Sequence, residues 1–167
     1  MITISLQQIR DASPCTSGWE KVLKSKGGTA ADMTAQFPLS DVLDSNDLDD
    51  TLWCLRCLPE HDNLWRKYAV WCARQVQHLM TDQRCFDALD VAWRHSDGLA
   101  TDAELDAARN AAWDAARSAA WDAAWNAAGD AAGDAARSAA RNAACDAARD
   151  EQKAKLLQIL AAEEWVE

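Results

Sequence analysis

Basic residues and long apolar runs are both scarce in this sequence. Seventeen Lys and Arg stand against 27 Asp and Glu, which gives a formal net charge of −10 at pH 7. Because binding to phosphate backbones takes clustered Lys and Arg, direct binding of nucleic acid is disfavoured. No apolar run approaches the roughly 18–20 residues of a membrane-spanning helix, so we expect no membrane partner. The first residues, MITIS, do not resemble a signal peptide, and the six cysteines are therefore predicted to be reduced thiols in a bacterial cytoplasm.

Motifs that carry catalysis are missing as well. The sequence has no phosphate-binding loop, no GxGxxG and no HExxH. Cys54 and Cys57 form a CxxC with His61 nearby, but the motif lies inside an amphipathic helix and no second CxxC follows it. His78 and Cys85 lie close in sequence, yet nothing at a readable spacing supplies an orienting acid or an oxyanion hole. We predict buried thiols, no metal, no cofactor and no enzymatic activity, and keep a thiol or metal enzyme as the remote alternative.

Apolar residues, by contrast, make up 49% of the chain, and nine of them are Trp, which is enough for a hydrophobic core. Three segments differ in composition: an acidic helical module over 1–62, core helices over 63–100, and an alanine-rich repeat over 101–162. We predict an all-α fold in which these segments form one domain, with a compact helical body and a long C-terminal helix or αα-hairpin.

Hydrophobic spacing and helix-breaking residues place the individual helices. We expect a helix over 17–24, a short helix and a second helix within 39–58, and a core helix over 63–80. The second helix in 39–58 should stop at Pro59. A further helix should end at Gly98.

The repeat begins after a capping box, Thr101-Asp-Ala-Glu104, and has the form x-(Asp, Asn or Ser)-Ala-Ala. Four residues turn an α-helix by about 400°, so each repeat is rotated by about 40° from the one before it, and no fixed coiled-coil seam forms. Gly129 and Gly133 are compatible with a continuous helix, a kink or a reversal. Both a single helix and a hairpin therefore stay open.

The tryptophans of the repeat lie within an arc of about 120° on its first half. We predict that this face docks on the body, while a partner-binding patch is the alternative. The predicted structural core is Trp53, Trp65, Cys72, Trp93, Trp113, Trp121 and Trp125.

Carboxylates are concentrated in residues 41–62 and recur along the repeat, where they resemble the phosphate line of a nucleic acid. The alternative is a solvated face balanced by arginines. The predicted partner-binding residues are Asp41, Asp44, Asp47, Asp49, Asp50, Asp130 and Asp134.

Two stretches resemble known proteins. WRKYAVWCARQV, ALDVAWRHSDGLATDAEL and the alanine-rich run, within residues 63–150, are similar to all-helical immunity proteins of bacterial toxin systems. ISLQQIR, Cys15 and GWEKVL resemble an N-terminal module common on phage and prophage proteins. The resemblance implies a non-enzymatic protein that binds and neutralises a protein partner, of the immunity or anti-defence type. Such partners are a toxin, a nuclease or a subunit of a CRISPR-like complex, with acidic mimicry of nucleic acid as one mechanism. The alternative is a structural protein that assembles through the alanine-rich helix, for example as a homodimer.

Overall fold

The structure, a computed structural model, describes residues 1–127 and 134–166, apart from the side chains of residue 79 and residues 119–145. The fold is all-α, as predicted, with a small two-stranded sheet. Its elements are β1 Thr3–Ser5, α1 Leu6–Asp11, α2 Thr16–Ser25, β2 Gln36–Pro38, α3 Ser40–Ser45, α4 Leu48–Cys54, α5 Asp62–Gln75, α6 Gln83–Ser96, α7 Asp102–Ala127 and α8 Asp134–Ala162. Short 3-10 turns lie at Gly28–Ala30, Leu55–Cys57, Pro59–His61 and Gln77–Leu79. Within the described ranges, every helix is too short or too polar to cross a lipid bilayer.

Two of the predicted helices are shorter than expected. The second helix of 39–58 ends as an α-helix at Cys54 and continues as a 3-10 turn up to Leu58, whose backbone is not helical. The steric demand of Pro59 on the residue before it explains this early end. The core helix predicted over 63–80 ends at Gln75, and a 3-10 turn follows it. The choice between one repeat helix and a hairpin depends on 128–133, which lie outside the described residues.

The antiparallel pairing of β1 with β2 was not predicted. Ile4 lies opposite Phe37, and both side chains are buried while Thr3 points to solvent. Ser5 is buried as well, so three residues carry no two-residue period that could stand out in the sequence.

Contacts group the chain into two compact units, the first made of 1–62 with 153–167 and the second of 63–152. The one-domain organisation stays a prediction. In the first unit, the end of α8 presents Leu156, Ile159 and Leu160 on one face, and all three are buried. The backbone N–H of Ile2 donates to the Leu160 carbonyl at 3.0 Å. The C-terminal segment is therefore part of the core of the first unit.

In the second unit, α6 and α7 pack against each other, and a short turn connects them. Gly98 has a φ of 72° in this turn, a backbone angle that residues other than glycine rarely adopt. The capping box is confirmed: the Thr101 N–H donates to Glu104 Oε2 at 2.7 Å, and the Glu104 N–H donates to Thr101 Oγ1 at 3.2 Å. His95 Nε2 lies 2.8 Å from Asp102 Oδ1 and links the end of α6 to the start of α7.

Trp93 joins α6 to α5 in this second unit. The Lys67 ammonium and the Arg74 guanidinium of α5 lie 5.4 and 5.0 Å from the centre of its ring. Each cation also pairs with a carboxylate of α6 or its end, Lys67 with Asp97 at 2.5 Å and Arg74 with Asp90 at 2.7 Å. Trp93 is half-buried, and the aliphatic stems of such cations cover apolar surface of this kind.

The two faces of the end of α8 allow a matched test of the first unit. Ile159 is fully buried, whereas Leu157 on the same helix is 38% exposed. We expect Ile159→Ala to lower the free energy of unfolding by about 2–5 kcal/mol, because it leaves a cavity in the core. Leu157→Ala should cost less than about 1 kcal/mol. Urea unfolding followed by far-UV circular dichroism measures both, and equal losses would show that α8 does not complete this core.

Candidate functional site

Several of the aspartates predicted to bind a partner between 41 and 50 take part in local structure. Asp41 Oδ2 accepts a hydrogen bond from Lys26 Nζ at 2.5 Å. Asp47 caps α4, because its Oδ1 accepts the Asp50 N–H at 2.9 Å. Asp50 Oδ2 in turn accepts a hydrogen bond from Asn46 Nδ2 at 2.8 Å. These carboxylates have structural partners whether or not they also contact another protein.

The other predicted partner-binding residues divide differently. Asp44 and Asp49 are exposed on α3 and α4. Asp130 lies outside the described residues, and Asp134 begins α8 with a side chain that is also outside them. Of the predicted acidic surface, the structure therefore gathers only the 41–50 part, and its role in binding stays a prediction.

The tryptophans and Cys72 were predicted to form a core, and the structure places them unequally. Trp65 is buried, and the half-buried members are Trp53, Cys72 and Trp93. Trp113 is 72% exposed, so its assignment to the core is wrong. Trp121 and Trp125 lie in α7 with side chains outside the described ones.

Alanine packing explains the exposure of Trp113. The face of α7 with the least solvent contact carries Leu105, Ala108, Ala111, Ala112 and Ala115. Leu105 and Ala115 are buried, and the three alanines between them are half-buried. Residue 113 lies about 100° around the helix from residue 112, on the side away from the centre of this stripe. Small side chains let α7 pack on α6, and the large ring faces solvent.

The exposed side of α7 therefore presents Trp113 between two cations. Arg109 and Arg117 lie one turn before and one turn after it, and both are exposed. Arg109 is also 3.9 Å from Asp106, a distant and exposed ion pair of little energetic weight. We call this surface, made of Arg109, Trp113 and Arg117, the Trp113 face.

The two CxxC thiols differ in burial but not in the direction of their pKa shifts. Cys54 is the last residue of α4 and is 4% exposed, and Cys57 is half-buried in the 3-10 turn after it. Burial raises the pKa of the Cys54 thiol to about 12, with Cys57 and Asp50 adding to the effect, and burial also raises the pKa of Cys57. Both thiols therefore stay protonated near neutral pH. In the part of the chain that the structure describes, no group of three or more His, Cys, Asp and Glu could hold a metal ion.

A cavity between α1, α2, α3 and α4 of the first unit was not predicted. The space open to the centre of a water molecule is about 70 Å³. Apolar side chains supply most of its walls, and it is lined by Ile9, Pro14, Cys15, Gly18, Val22, Val42, Asn46, Asp50, Trp53 and Cys54. Two thiols and one carboxylate therefore share a small, mostly apolar space.

Cys15 is the lining residue whose chemistry stands apart. It is exposed and caps α2, with its Sγ 3.4 Å from the Gly18 nitrogen, whose N–H it accepts, and 3.6 Å from Ser17 Oγ. These contacts lower the pKa of the Cys15 thiol, the Gly18 N–H most, while the Asp50 carboxylate opposes the shift. Sequence reasoning missed this residue because cysteine is not among the usual helix-capping residues. The signal was the PCTSG turn, with a polarisable side chain three residues before a glycine.

No protein family, curated protein or solved structure matches this chain.

The structural role of the acidic segment can be separated from its charge. Asp47→Ala should lower the free energy of unfolding by about 1 kcal/mol, because α4 loses its cap, whereas Asp47→Asn should retain most of the stability. The exposed Asp44→Ala is the control and should change stability by less than about 0.5 kcal/mol. Thermal or urea unfolding measures all three. If Asp47→Asn were as destabilising as Asp47→Ala, the charge rather than the cap would matter.

Proposed function

We propose that this protein is a non-enzymatic binding protein that attaches to a protein partner through the Trp113 face. The single observation that carries the proposal is the 72% exposure of Trp113 on a helix that packs on its own unit through alanines. Exposing a large aromatic ring to water costs free energy in proportion to its apolar area. Covering the ring with a pocket of a partner would recover that free energy and favour binding. Tryptophan is the residue that most often dominates binding energy at protein interfaces.

The charges beside Trp113 indicate the chemistry of the partner. Arg109 and Arg117 flank the ring at one helical turn on each side. A pocket that accepts the ring and carries Asp or Glu at its rim would satisfy both guanidinium groups by charge-assisted hydrogen bonds. The partner surface that fits best is therefore an apolar pocket with an acidic rim.

The same charges disfavour pairing of two copies through this face. In an antiparallel pair centred on Trp113, Arg109 of one copy meets Arg117 of the other, and in a parallel pair each arginine meets its own equivalent. Both arrangements place like charges opposite each other. A different protein is therefore the better fit for the Trp113 face. The alternative of assembly through the second half of the repeat involves side chains outside the described ones.

The kind of binding protein follows from the resemblance of residues 63–150 to immunity proteins. We propose that the partner is a bacterial toxin, nuclease or defence-complex subunit and that binding neutralises it in the bacterial cytoplasm. We propose the exposed Asp44 on α3 as a second, acidic contact.

Affinity capture from a bacterial host with the tagged full-length chain tests this proposal. The captured protein is then purified and its Kd measured by titration against the wild type and Trp113→Ala. We expect Trp113→Ala to weaken binding by about 30-fold or more, the loss typical of an interface hot spot. Its urea midpoint should lie close to that of the wild type, because Trp113 is 72% exposed.

Leu99→Ala is the matched control, because Leu99 is 68% exposed and lies in the turn before α7 rather than on the Trp113 face. We expect it to bind as the wild type does. Equal, small effects of the two variants would contradict the proposal. A defined oligomer that persists at micromolar concentration and captures nothing else would favour the assembly alternative.

A further inference from the structure

The cavity between α1, α2, α3 and α4 joins an exposed thiol to a buried one. Cys15 lies at the start of α2 and is exposed, whereas Cys54 is 4% exposed and lines the same space. Among the described residues, the Cys54 thiol has no hydrogen-bond partner. It is a weak donor left unsatisfied in a mostly apolar wall, which favours a guest with an acceptor such as a carbonyl oxygen.

Gly18 keeps the opening of this space clear. A Cβ at this position would lie 3.2 Å from Cys15 Sγ and 3.1 Å from Asp50 Oδ1, which is closer than side-chain carbons normally approach. The absence of a side chain at Gly18 therefore leaves room for the Cys15 sulfur and the Asp50 carboxylate beside the first turn of α2. Any larger residue would crowd the sulfur that faces the guest.

The polar groups at the cavity select the charge of a guest. Asn46 Nδ2 donates to the Gly18 carbonyl at 2.9 Å and to Asp50 Oδ2 at 2.8 Å, so both of its N–H groups are used. The carboxylate of Asp50 is the charged group that lines the cavity. It disfavours anions, whereas the walls of Ile9, Val22 and Val42 accept an apolar group.

We propose that Cys15 is a covalent modification site for small, neutral, apolar α,β-unsaturated carbonyl compounds, with the apolar part of the compound held in this cavity. The Cys15 thiol gives its proton to water, and the thiolate sulfur then forms a C–S bond to the β-carbon with a lone pair. The electron pair of the C=C bond moves towards the carbonyl, and the resulting enolate takes a proton from water. The product is a thioether, and the step needs no oxidant or reductant.

Cys15 differs from Cys54, Cys57 and Cys72 in the direction of its pKa shift. Its pKa is lowered, mainly by the Gly18 N–H, whereas burial raises the pKa of Cys54, Cys57 and Cys72. A lower pKa leaves more thiolate below the ordinary range of cysteine, so Cys15 stays reactive as the pH falls while the buried thiols do not.

Limited labelling of the reduced full-length protein with N-ethylmaleimide tests the site. Peptide mass spectrometry then gives the labelled fraction at each of the six cysteines. We expect Cys15 to react first, about tenfold or more faster than Cys57, because its sulfur is exposed and its pKa is lowered, whereas burial raises the pKa of Cys57. The midpoint of its rate against pH should lie below that of free cysteine. Even labelling, or faster labelling of another cysteine, would overturn the proposal.

A pair of reagents tests the charge of the guest. Maleimidoacetic acid is close to N-ethylmaleimide in size but is anionic, and each rate is divided by that for free cysteine. We expect the anionic reagent to be slower at Cys15 by about fivefold, because of the Asp50 carboxylate. Asp50→Asn, which can still accept from Asn46, should remove most of this difference. Equal normalised rates in the wild type would show that the cavity does not select the guest.

Two further variants test whether the guest enters the cavity. Gly18→Ala should slow labelling of Cys15 several-fold, because its Cβ crowds the sulfur, and circular dichroism checks that the variant folds. Labelling of Cys15 should also change the tryptophan emission of the wild type, since Trp53 lines the cavity. Trp53→Phe should lose that change. An unchanged rate in Gly18→Ala, or the same emission change without Trp53, would mean that Cys15 is only a surface thiol.

Discussion

The backbone of Ile2 connects three segments of the first unit by hydrogen bonds. Its N–H donates to the Leu160 carbonyl at the end of α8, and its own carbonyl accepts the N–H of Leu39, which follows β2. Two strands of three residues would not be stable alone in water. They persist because Ile2 and Ile4 are buried and because the end of α8 covers the same core. The helices that enclose the cavity are attached to this framework, since α1 begins directly after β1 and α3 soon after β2.

The second unit follows a different rule, in which the smallest side chains make the closest contacts. α7 packs on α6 through Leu105 and a row of alanines, and the largest side chain of its first half, Trp113, is left in solvent. Alanine favours the helix and allows a neighbouring backbone to approach, but it buries little apolar area per residue. A tryptophan on the opposite side adds nothing to this packing. Its exposure is the observation on which the proposed binding of a partner rests.

The cysteines show how strongly position decides chemistry. Cys54 and Cys57 form a CxxC motif, yet burial raises the pKa of both thiols and keeps them protonated. Cys15 has no motif around it, but its place at the start of α2 gives its sulfur a backbone N–H donor and an opening to a cavity. A thiol becomes reactive through donors and solvent access, both of which depend on the fold.

The sequence by itself determined the all-α class, the capping box at Thr101 and most helix positions, because these depend on local spacing and on residues near one another in the chain. It also showed the concentration of carboxylates in residues 41–62. Tertiary structure alone decided that residues 3–5 pair with 36–38, and that the end of α8 joins the first unit. It also decided that α7 turns its alanines and not Trp113 towards α6, because a four-residue repeat has no fixed apolar face and only the neighbouring helix selects one. Tertiary structure alone also decided the cavity beside Cys15, because four separate helices contribute its walls.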